Sequence, residues 1–351
     1  RKYNPKDKYW AFPAIHLSAF LELCSQHGVS YKLDSDVTKA LELGQETKQN
    51  LKNLQAASDT EIYLPTRTIP YSYQRVGISF IQEALRGFGG FLLASDMGTG
   101  KTFQALSIMA LNSKHWQDVL VICPNSLKYV WAAQIDEHYP QLTYGVIGGD
   151  THTRKEQWDS KKYIKIVNYE LLLRDTEPLL QDWDLLVFDE SPRLKEFSTK
   201  TYKAARKLKA NYRLALSGMP LENSLGDVYS VFNLLIPGAM GTPHYFRQRY
   251  CELDRWGSVI EYIRINEFAE RARPFYLRHT KAEVLPELPP KTYTDVWLEL
   301  SPAEWKLYSA TQAQLKEIIA ANPDLKAQNL LVLLLRLQQI TSDARLVVPG
   351  S

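Results

Sequence analysis

Five short apolar runs constrain this chain more than any other feature: "FGGFLLA", "DVLVICP", "YIKIVNY", "WDLLVFDE" and "NYRLALSG". Each is short for a helix and too continuously apolar to leave one face wet. Patterns with helical spacing lie between several of them, as in "FQALSIMALN" and "LKYVWAAQIDEHY". Strands buried on both faces and alternating with helices make a parallel sheet covered on both sides. An α/β fold is therefore expected from about residue 63 to 285. In such sheets ligands bind at the carboxyl ends of the strands, and the candidate motifs fall at that edge.

A chain of 351 residues has room for two or three domains. Its formal net charge of +3 excludes a strongly basic tail protein and permits a local basic groove. Cys24, Cys123 and Cys251 are far apart and form no C-x-x-C pair. Neither a disulfide framework nor a zinc site is implied, and a reducing, intracellular compartment is expected. The apolar run "LLVLLL" at 330–335 is far short of the roughly 20 residues a membrane span needs, so no membrane partner is expected. The chain opens at Arg1 with no signal-peptide pattern, and a removed upstream segment is expected. Residues 1–62 read as a small accessory unit and linker, with Tyr9, Trp10 and Phe12 ahead of a helical stretch and a polar tract at 34–60 that suits exposed helix and linker. Residues 286–351 read as a helical protrusion. There Ser301 and Glu304 form a capping box with Pro302 at the first helical position; one helix runs to about Ala321, Asn322-Pro323 breaks it, and a Leu-rich helix runs to about 342.

"ASDMGTGKT", residues 94–102, follows the first apolar run and precedes a helical pattern. The phosphate-loop pattern G-x-x-x-x-G-K-[ST] fails at its first glycine, where Ser95 stands, but Gly98-Thr99-Gly100-Lys101-Thr102 fits the remainder. Glycines let backbone N–H groups turn towards phosphate oxygens, and the following helix sets its positive end on the same anion. Lys101 is then placed to reach β- and γ-phosphates and Thr102 to ligate Mg²⁺. The bland alternative is a glycine turn joining strand to helix.

The run "LLVFDES" ends a buried strand with Asp189 and Glu190. Two carboxylates at a strand end are costly to desolvate without a cation, and a Mg²⁺–nucleotide complex supplies one. Asp189 is expected to hold Mg²⁺ through its water shell, and Glu190 to orient and deprotonate the attacking water. An exposed acidic pair at a strand end is the alternative.

These motifs stand in an order that resembles the first motor lobe of the Snf2-type superfamily 2 ATPases. "YQRVG" at 73–77 resembles the Q motif, "SDMGTGKT" motif I, "LVICPNSL" motif Ia, "IVNYELL" motif Ib, "DESPRLK" motif II and "LALSGMPLEN" motif III. "YLRHTKAEVLPELPPK" at 276–291 resembles the signature LRRxKxDVxxxLPxK. The resemblance covers about 63–340. It implies a RecA-like lobe that binds ATP and Mg²⁺, with Tyr73, Gln74, Met97, Gly98, Thr99, Gly100, Lys101 and Thr102 around the nucleotide and Gln74 reading the adenine edge. Asp189 and Thr102 would serve the metal, and Lys101, Asp189 and Glu190 the chemistry. Ser217 and Gly218 would couple the site to the rest of the motor. Two departures stand out: Ser191-Pro192 in motif II, where relatives carry Ala-His, and Met219 in place of a motif III threonine.

The resemblance also implies duplex DNA as partner, tracked through phosphates without a sequence code. Pro124, Asn125, Ser126, Lys128 and Tyr169 would lie on that track. Residues 193–213 hold eight Lys or Arg against one acid, Glu196; a solvated helix face is the alternative reading. "YNPKDKYWAFP" resembles the end of the HARP module of annealing helicases, which would add forked DNA; a packing anchor is the alternative. No Q-x-x-G-R-x-x-R stretch occurs, so the arginine of a second RecA-like lobe is expected from elsewhere in a longer parent chain, and these residues alone are expected to hydrolyse ATP poorly. Competing readings are a nucleotide-gated DNA- or protein-binding module without turnover, and an RNA helicase. Small size and few insertions point to the cytoplasm of a bacterium or virus-infected cell rather than a nucleus.

Overall fold

A computed structural model describes residues 2–4, 9–11, 17–218, 224–289, 292, 294–321 and 327–347. The chain divides into two compact units, 1–288 and 289–351.

The first unit opens with β1 (Lys2–Asn4) and β2 (Tyr9–Ala11), an antiparallel pair in which Tyr3 faces Trp10. Phe12 and Pro13 of the HARP-like stretch lie outside the described residues. Helices α1 (Leu17–Gln26), α2 (Ser35–Ala56) and α3 (Ser72–Phe88) follow. The tract expected as exposed helix and linker is largely the 22-residue α2, which packs along α3. Thr47 and Leu51 are buried there, Asn50 donates to Glu83 at 3.0 Å, and a Cβ on Gly87 would lie 2.2 Å from the Thr47 hydroxyl. Its polar composition conceals a narrow apolar seam.

The sheet is built from β3 (Gly90–Leu93), β4 (Val119–Cys123), β5 (Tyr144–Val146), β6 (Ile164–Asn168), β7 (Asp182–Phe188), β8 (Lys209–Leu216) and β11 (Tyr276–Leu277). A separate antiparallel hairpin, β9 (Cys251–Leu253) with β10 (Val259–Tyr262), lies between β8 and β11 in the chain. The seven strands are all parallel in the order β11-β3-β8-β7-β4-β6-β5, with α4 (Lys101–Asn112) and α5 (Lys128–His138) among the crossovers. Successive residues of one strand enter opposite cores. Leu120 and Ile122 join Phe188, Tyr202 and Phe232 on one face; Val119 and Val121 join Ile81, Met109 and Leu214 on the other. Both faces are apolar, which is why β4 reads as an unbroken apolar run. The strands β5 and β11 escape that pattern because they are the two sheet edges, three and two residues long and only half-buried.

Register levels the carboxyl ends. Leu93 pairs with Leu216, Phe188 with Ala215 and Ile122, and Cys123 with Asn168. The residues that follow, Ala94 onward, Ser217, Asp189, Pro124 and Tyr169, therefore emerge side by side.

In the second unit helices run over Pro302–Ala321 and Ala327–Ser342. The Ser301–Glu304 box is closed: Ser301 N–H donates to Glu304 Oε2 at 2.8 Å and Glu304 N–H to Ser301 Oγ at 3.3 Å. Asn322-Pro323, Pro290, Lys291 and the terminal Gly350-Ser351 lie outside the described residues. No described helix is long and apolar enough to cross a membrane, and Cys24, Cys123 and Cys251 are free and buried.

Candidate active site

The glycine turn after β3 has the backbone shape that a phosphate cradle needs. Gly98 has φ +81° and Gly100, the residue before α4, has φ +76°, both in the left-handed region that favours glycine. Lys101 opens α4, and its ammonium donates to the carbonyls of Ser95 at 2.9 Å and Asp96 at 3.0 Å. Thr102 is half-buried beside it, and Met97 is exposed. The loop is held from behind through one atom. The Thr99 carbonyl accepts from Tyr73 Oη at 3.2 Å, Gln74 Nε2 at 3.4 Å and Gln104 Nε2 at 3.4 Å. Gln74 also accepts the Tyr71 N–H at 3.0 Å, so its amide is engaged at both ends, and an adenine edge must compete for it. A Cβ on Gly100 would lie 2.4 Å from Gln74 Nε2, and one on Gly77 2.2 Å from Gln104 Oε1. The glycines of both motifs thus make room for the two glutamines.

Asp189 and Glu190 follow β7 two strands away from β3. Asp189 is buried; its Oδ2 accepts the Trp131 indole N–H at 2.8 Å and its Oδ1 the Glu190 N–H at 2.9 Å. Burial pushes its pKa up against those two bonds and the charge of Lys101. Glu190 stands at φ +51°, left-handed, a conformation that costs a non-glycine residue energy and concentrates at functional sites. Burial first, and the Asp189 charge second, push its pKa up as well. Burial holds the Lys101 pKa below its ordinary value, while Glu190 and Asp189 oppose that shift. Lysine and carboxylates therefore share one electrostatic field around an acidic pair that is under-compensated, an arrangement that favours a divalent cation. No group of three or more His, Cys, Asp or Glu able to enclose a metal occurs among the described residues. Mg²⁺ needs only one or two protein oxygens when substrate phosphates complete its shell.

Trp131, on α5, carried no signal in the sequence. Trp131→Phe keeps one aromatic ring but removes the pyrrole ring, which leaves a small cavity at a fully buried position, and with that ring the donor to a buried carboxylate. Leaving such a group unsatisfied costs about 1–3 kcal/mol. A loss of that order is expected in urea denaturation at neutral pH; an unchanged midpoint would show that the bond contributes nothing.

The motif III strand end reaches the same place. Ser217 is buried and its N–H donates to Leu93 O at 3.0 Å; a Cβ on Gly218 would lie 2.9 Å from Met97 Cγ and 3.8 Å from Lys101 Nζ. Met219 to Asn223, including the threonine replacement, lie outside the described residues. In motif II, Ser191 is buried and Pro192 sits in the 3-10 turn Ser191–Leu194.

The signature stretch was legible as a motif, but its place was not. The chain from Leu277 to Lys281 lies against the phosphate loop. Ala94 N–H donates to Leu277 O at 2.8 Å, Asp96 N–H to His279 O at 2.9 Å, His279 N–H to Ser95 Oγ at 3.1 Å and Lys281 N–H to Asp96 Oδ2 at 3.0 Å. Ser95, where the strict pattern has glycine, is thus one of two loop acceptors, with Asp96, that dock this segment.

On the expected DNA track, Asn125 and Ser126 are exposed in the turn after β4, Pro124 is half-buried, and Tyr129 beside them is exposed. Lys128 and Tyr169 are placed differently. Lys128 is buried with its ammonium on Ile147 O at 3.0 Å, and Tyr169 is buried with its hydroxyl donated to Asp189 O at 2.7 Å. Tyr169 must give up that bond to donate to a phosphate, and Lys128 must leave its buried position. The Arg193 guanidinium lies 5.8 Å from the Tyr169 ring centre, and Arg193 and Arg174 line a cavity of about 360 Å³ with Tyr169, Glu170, Leu173 and Thr201. Of the basic run, Arg193, Lys195, Lys200, Lys203, Arg206, Lys207 and Lys209 are exposed, whereas Arg213 is half-buried against Leu208 O.

Residues 73–346 match the SNF2-related domain. The chain is 32% identical over 278 residues to an "Uncharacterized ATP-dependent helicase" of Mycoplasma pneumoniae, covering 77% of this chain and 26% of that protein. It is 31% identical to the TATA-binding protein-associated factor BTAF1 of Arabidopsis thaliana, over 67% of this chain and 13% of that one. The solved Sulfolobus solfataricus SWI2/SNF2 ATPase core in complex with dsDNA superposes with a TM-score of 0.58 at 30% identity, over 83% of this chain and 63% of that one. The chain spans about a quarter or less of these curated relatives. The parallel sheet flanked by helices is that core's RecA-like architecture, and with the domain match spanning both the phosphate loop and the acidic pair, the chain belongs to the SNF2-related domain family.

Proposed function

We propose that this chain is the ATP-binding lobe of a DNA-stimulated ATPase that moves along or remodels duplex DNA. The observation that carries the proposal is the convergence of Lys101, the Gly98–Gly100 cradle, Asp189 and Glu190 at neighbouring strand ends. ATP lies in the cradle with its triphosphate on Lys101 and the loop N–H groups. Thr102 and Asp189 would hold Mg²⁺, Asp189 with the lone pairs left free by its bonds to Trp131 and the Glu190 N–H. Bound there, the ion would neutralise phosphate charge. Glu190, whose raised pKa marks a carboxylate ready to accept a proton, orients the water.

Duplex DNA is supported as partner by the dsDNA-bound structural neighbour and by the exposed Asn125, Ser126 and basic face. Tyr169 offers a route for stimulation: its ring faces Arg193 and its hydroxyl holds the backbone of Asp189. A second RecA-like lobe, in the longer protein that such a chain serves, supplies arginine to the transferring phosphate, and the 351 residues alone turn over slowly. The N-terminal hairpin, with Tyr9 and Trp10, is the candidate reader of forked DNA.

The test is ATP turnover by the full-length protein with no nucleic acid, single strand, duplex, fork or RNA. Stimulation largest with duplex or fork is expected, with binding steep in salt and indifferent to sequence. Stimulation by RNA alone, or tight nucleotide-dependent DNA binding without turnover, would replace this reading with a helicase on RNA or a nucleotide-gated clamp.

A further inference from the structure

We propose that Lys281 is a second ammonium ligand for the polyphosphate of the bound nucleotide, delivered to the phosphate loop by the 277–281 segment; this rests on the nucleotide-site reading above.

The placement is built rather than incidental. Lys281 Cε and Nζ each lie 3.0 Å from the point where a Cβ on Gly98 would stand. Gly98 therefore serves two needs: its φ of +81°, and the empty volume that the lysine head occupies. The backbone beneath that head is pinned to the loop at Ala94, Ser95 and Asp96, and the Lys281 N–H itself donates to Asp96 Oδ2. The side chain is thus aimed by main-chain bonds that survive its replacement.

Glu190, Asp189 and Asp96 each act on Lys101 more strongly than Lys281 does, so what points to a phosphate here is the placing of two ammonium groups at one loop rather than the net field. Lys101 sits on the carbonyls of Ser95 and Asp96, in the same loop that Lys281 overhangs. Burial does most to depress the basicity of Lys101, and the positive charge of Lys281 adds to it. Two ammonium groups held on one small loop repel each other in the free protein. A polyphosphate between them turns that repulsion into attraction on both sides. An ammonium on a flexible stem, with three rotatable donors, suits non-planar phosphate oxygens.

Calorimetric titration of the chain with ATP, ADP, AMP and adenosine tests this, using Lys281→Gln, Lys281→Arg and Lys101→Ala. Lys281→Gln is expected to weaken ATP about ten-fold, as for loss of one charge-assisted hydrogen bond. ADP should weaken with it, AMP and adenosine should stay unchanged, and the salt dependence of ATP binding should flatten. Lys281→Arg, which keeps the charge, should stay within a few-fold of the parent for ATP. A merely structural role would weaken AMP and adenosine as much as ATP, and that result overturns the proposal. So does unchanged ATP binding by Lys281→Gln while Lys101→Ala loses it. If Lys101→Ala also leaves ATP unchanged, the nucleotide site itself is wrongly placed and Lys281 falls with it, a failure distinct from the other two.

Discussion

Lys101→Ala is expected to weaken ATP binding by roughly ten- to a hundred-fold, since hydrogen bonds to charged groups contribute about 1.5–3 kcal/mol, and to leave the chain folded. In the nucleotide-free protein the Lys101 ammonium is spent on two loop carbonyls, Ser95 O and Asp96 O. Asp96 O keeps the Thr99 hydroxyl as a donor, at 2.8 Å. Removing Lys101 also removes a cation whose pKa burial has pushed down, so its charged form is a cost to the fold near neutral pH. That cost offsets the lost bonds, and the denaturation midpoint should move little. With nucleotide the balance reverses, because α4 carries no other cation to meet the phosphates. Titration of the variant with Mg²⁺–ATP beside its thermal unfolding separates the two effects. Affinity within a few-fold of the parent would mean that the triphosphate lies elsewhere; a collapse of stability would mean that Lys101 is chiefly a structural tie.

The central sheet was open to sequence reading because β3, β4, β6, β7 and β8 carry apolar residues into the cores on both sides, leaving runs that are continuous in β3 and β4 and interrupted only by Lys165 in β6, Asp184 in β7, and Asn211 and Arg213 in β8. The edges were not. The three residues of β5 are half-buried around Gly145, and β11 offers only Tyr276 and Leu277 before charged residues begin. Their pairing is a tertiary event that local pattern does not encode. The site divides the same way. Lys101, Asp189 and Glu190 sit in short motifs whose spacing is local. Trp131 reaches Asp189 across 58 positions, and Lys281 reaches Asp96 across 185, so neither bond has a sequence signature. Lys128 and Tyr169 show the converse. Their residue types suit phosphate contacts, but α5 turns Lys128 onto Ile147 O and the turn after β6 turns Tyr169 onto Asp189 O. Ser95 looked like damage to the phosphate-loop pattern until its hydroxyl was seen to receive the His279 N–H.

Glu190→Gln should separate binding from hydrolysis. The amide preserves size and the left-handed backbone at φ +51°, so the loop and Asp189 keep their places. What is lost is the group that takes a proton from water, which general-base catalysis values at about 10²–10⁴-fold in rate. In the full-length protein, ATP affinity is expected to hold while turnover falls by that factor; turnover within a few-fold of the parent would assign the base elsewhere. Two pH effects follow from the raised pKa of Glu190, which burial causes first and Asp189 second. Only the ionised form accepts a proton, so parent turnover should fall on the acid side at a pH above the ordinary carboxylate range. Stability runs the other way. A carboxyl whose folded pKa exceeds its unfolded pKa contributes most while protonated, below the unfolded value, and loses that contribution as pH rises through the folded one. Near neutrality the ionised Glu190 therefore destabilises the nucleotide-free chain, and Glu190→Gln should unfold at a higher temperature than the parent there. The gap should close as the pH is lowered through the carboxylate range, because the parent then becomes neutral at that position too. Equal midpoints for the two proteins at neutral pH would show that Glu190 is solvated well enough to carry no strain of charge, and would leave its left-handed backbone as the cost that this residue places on the fold.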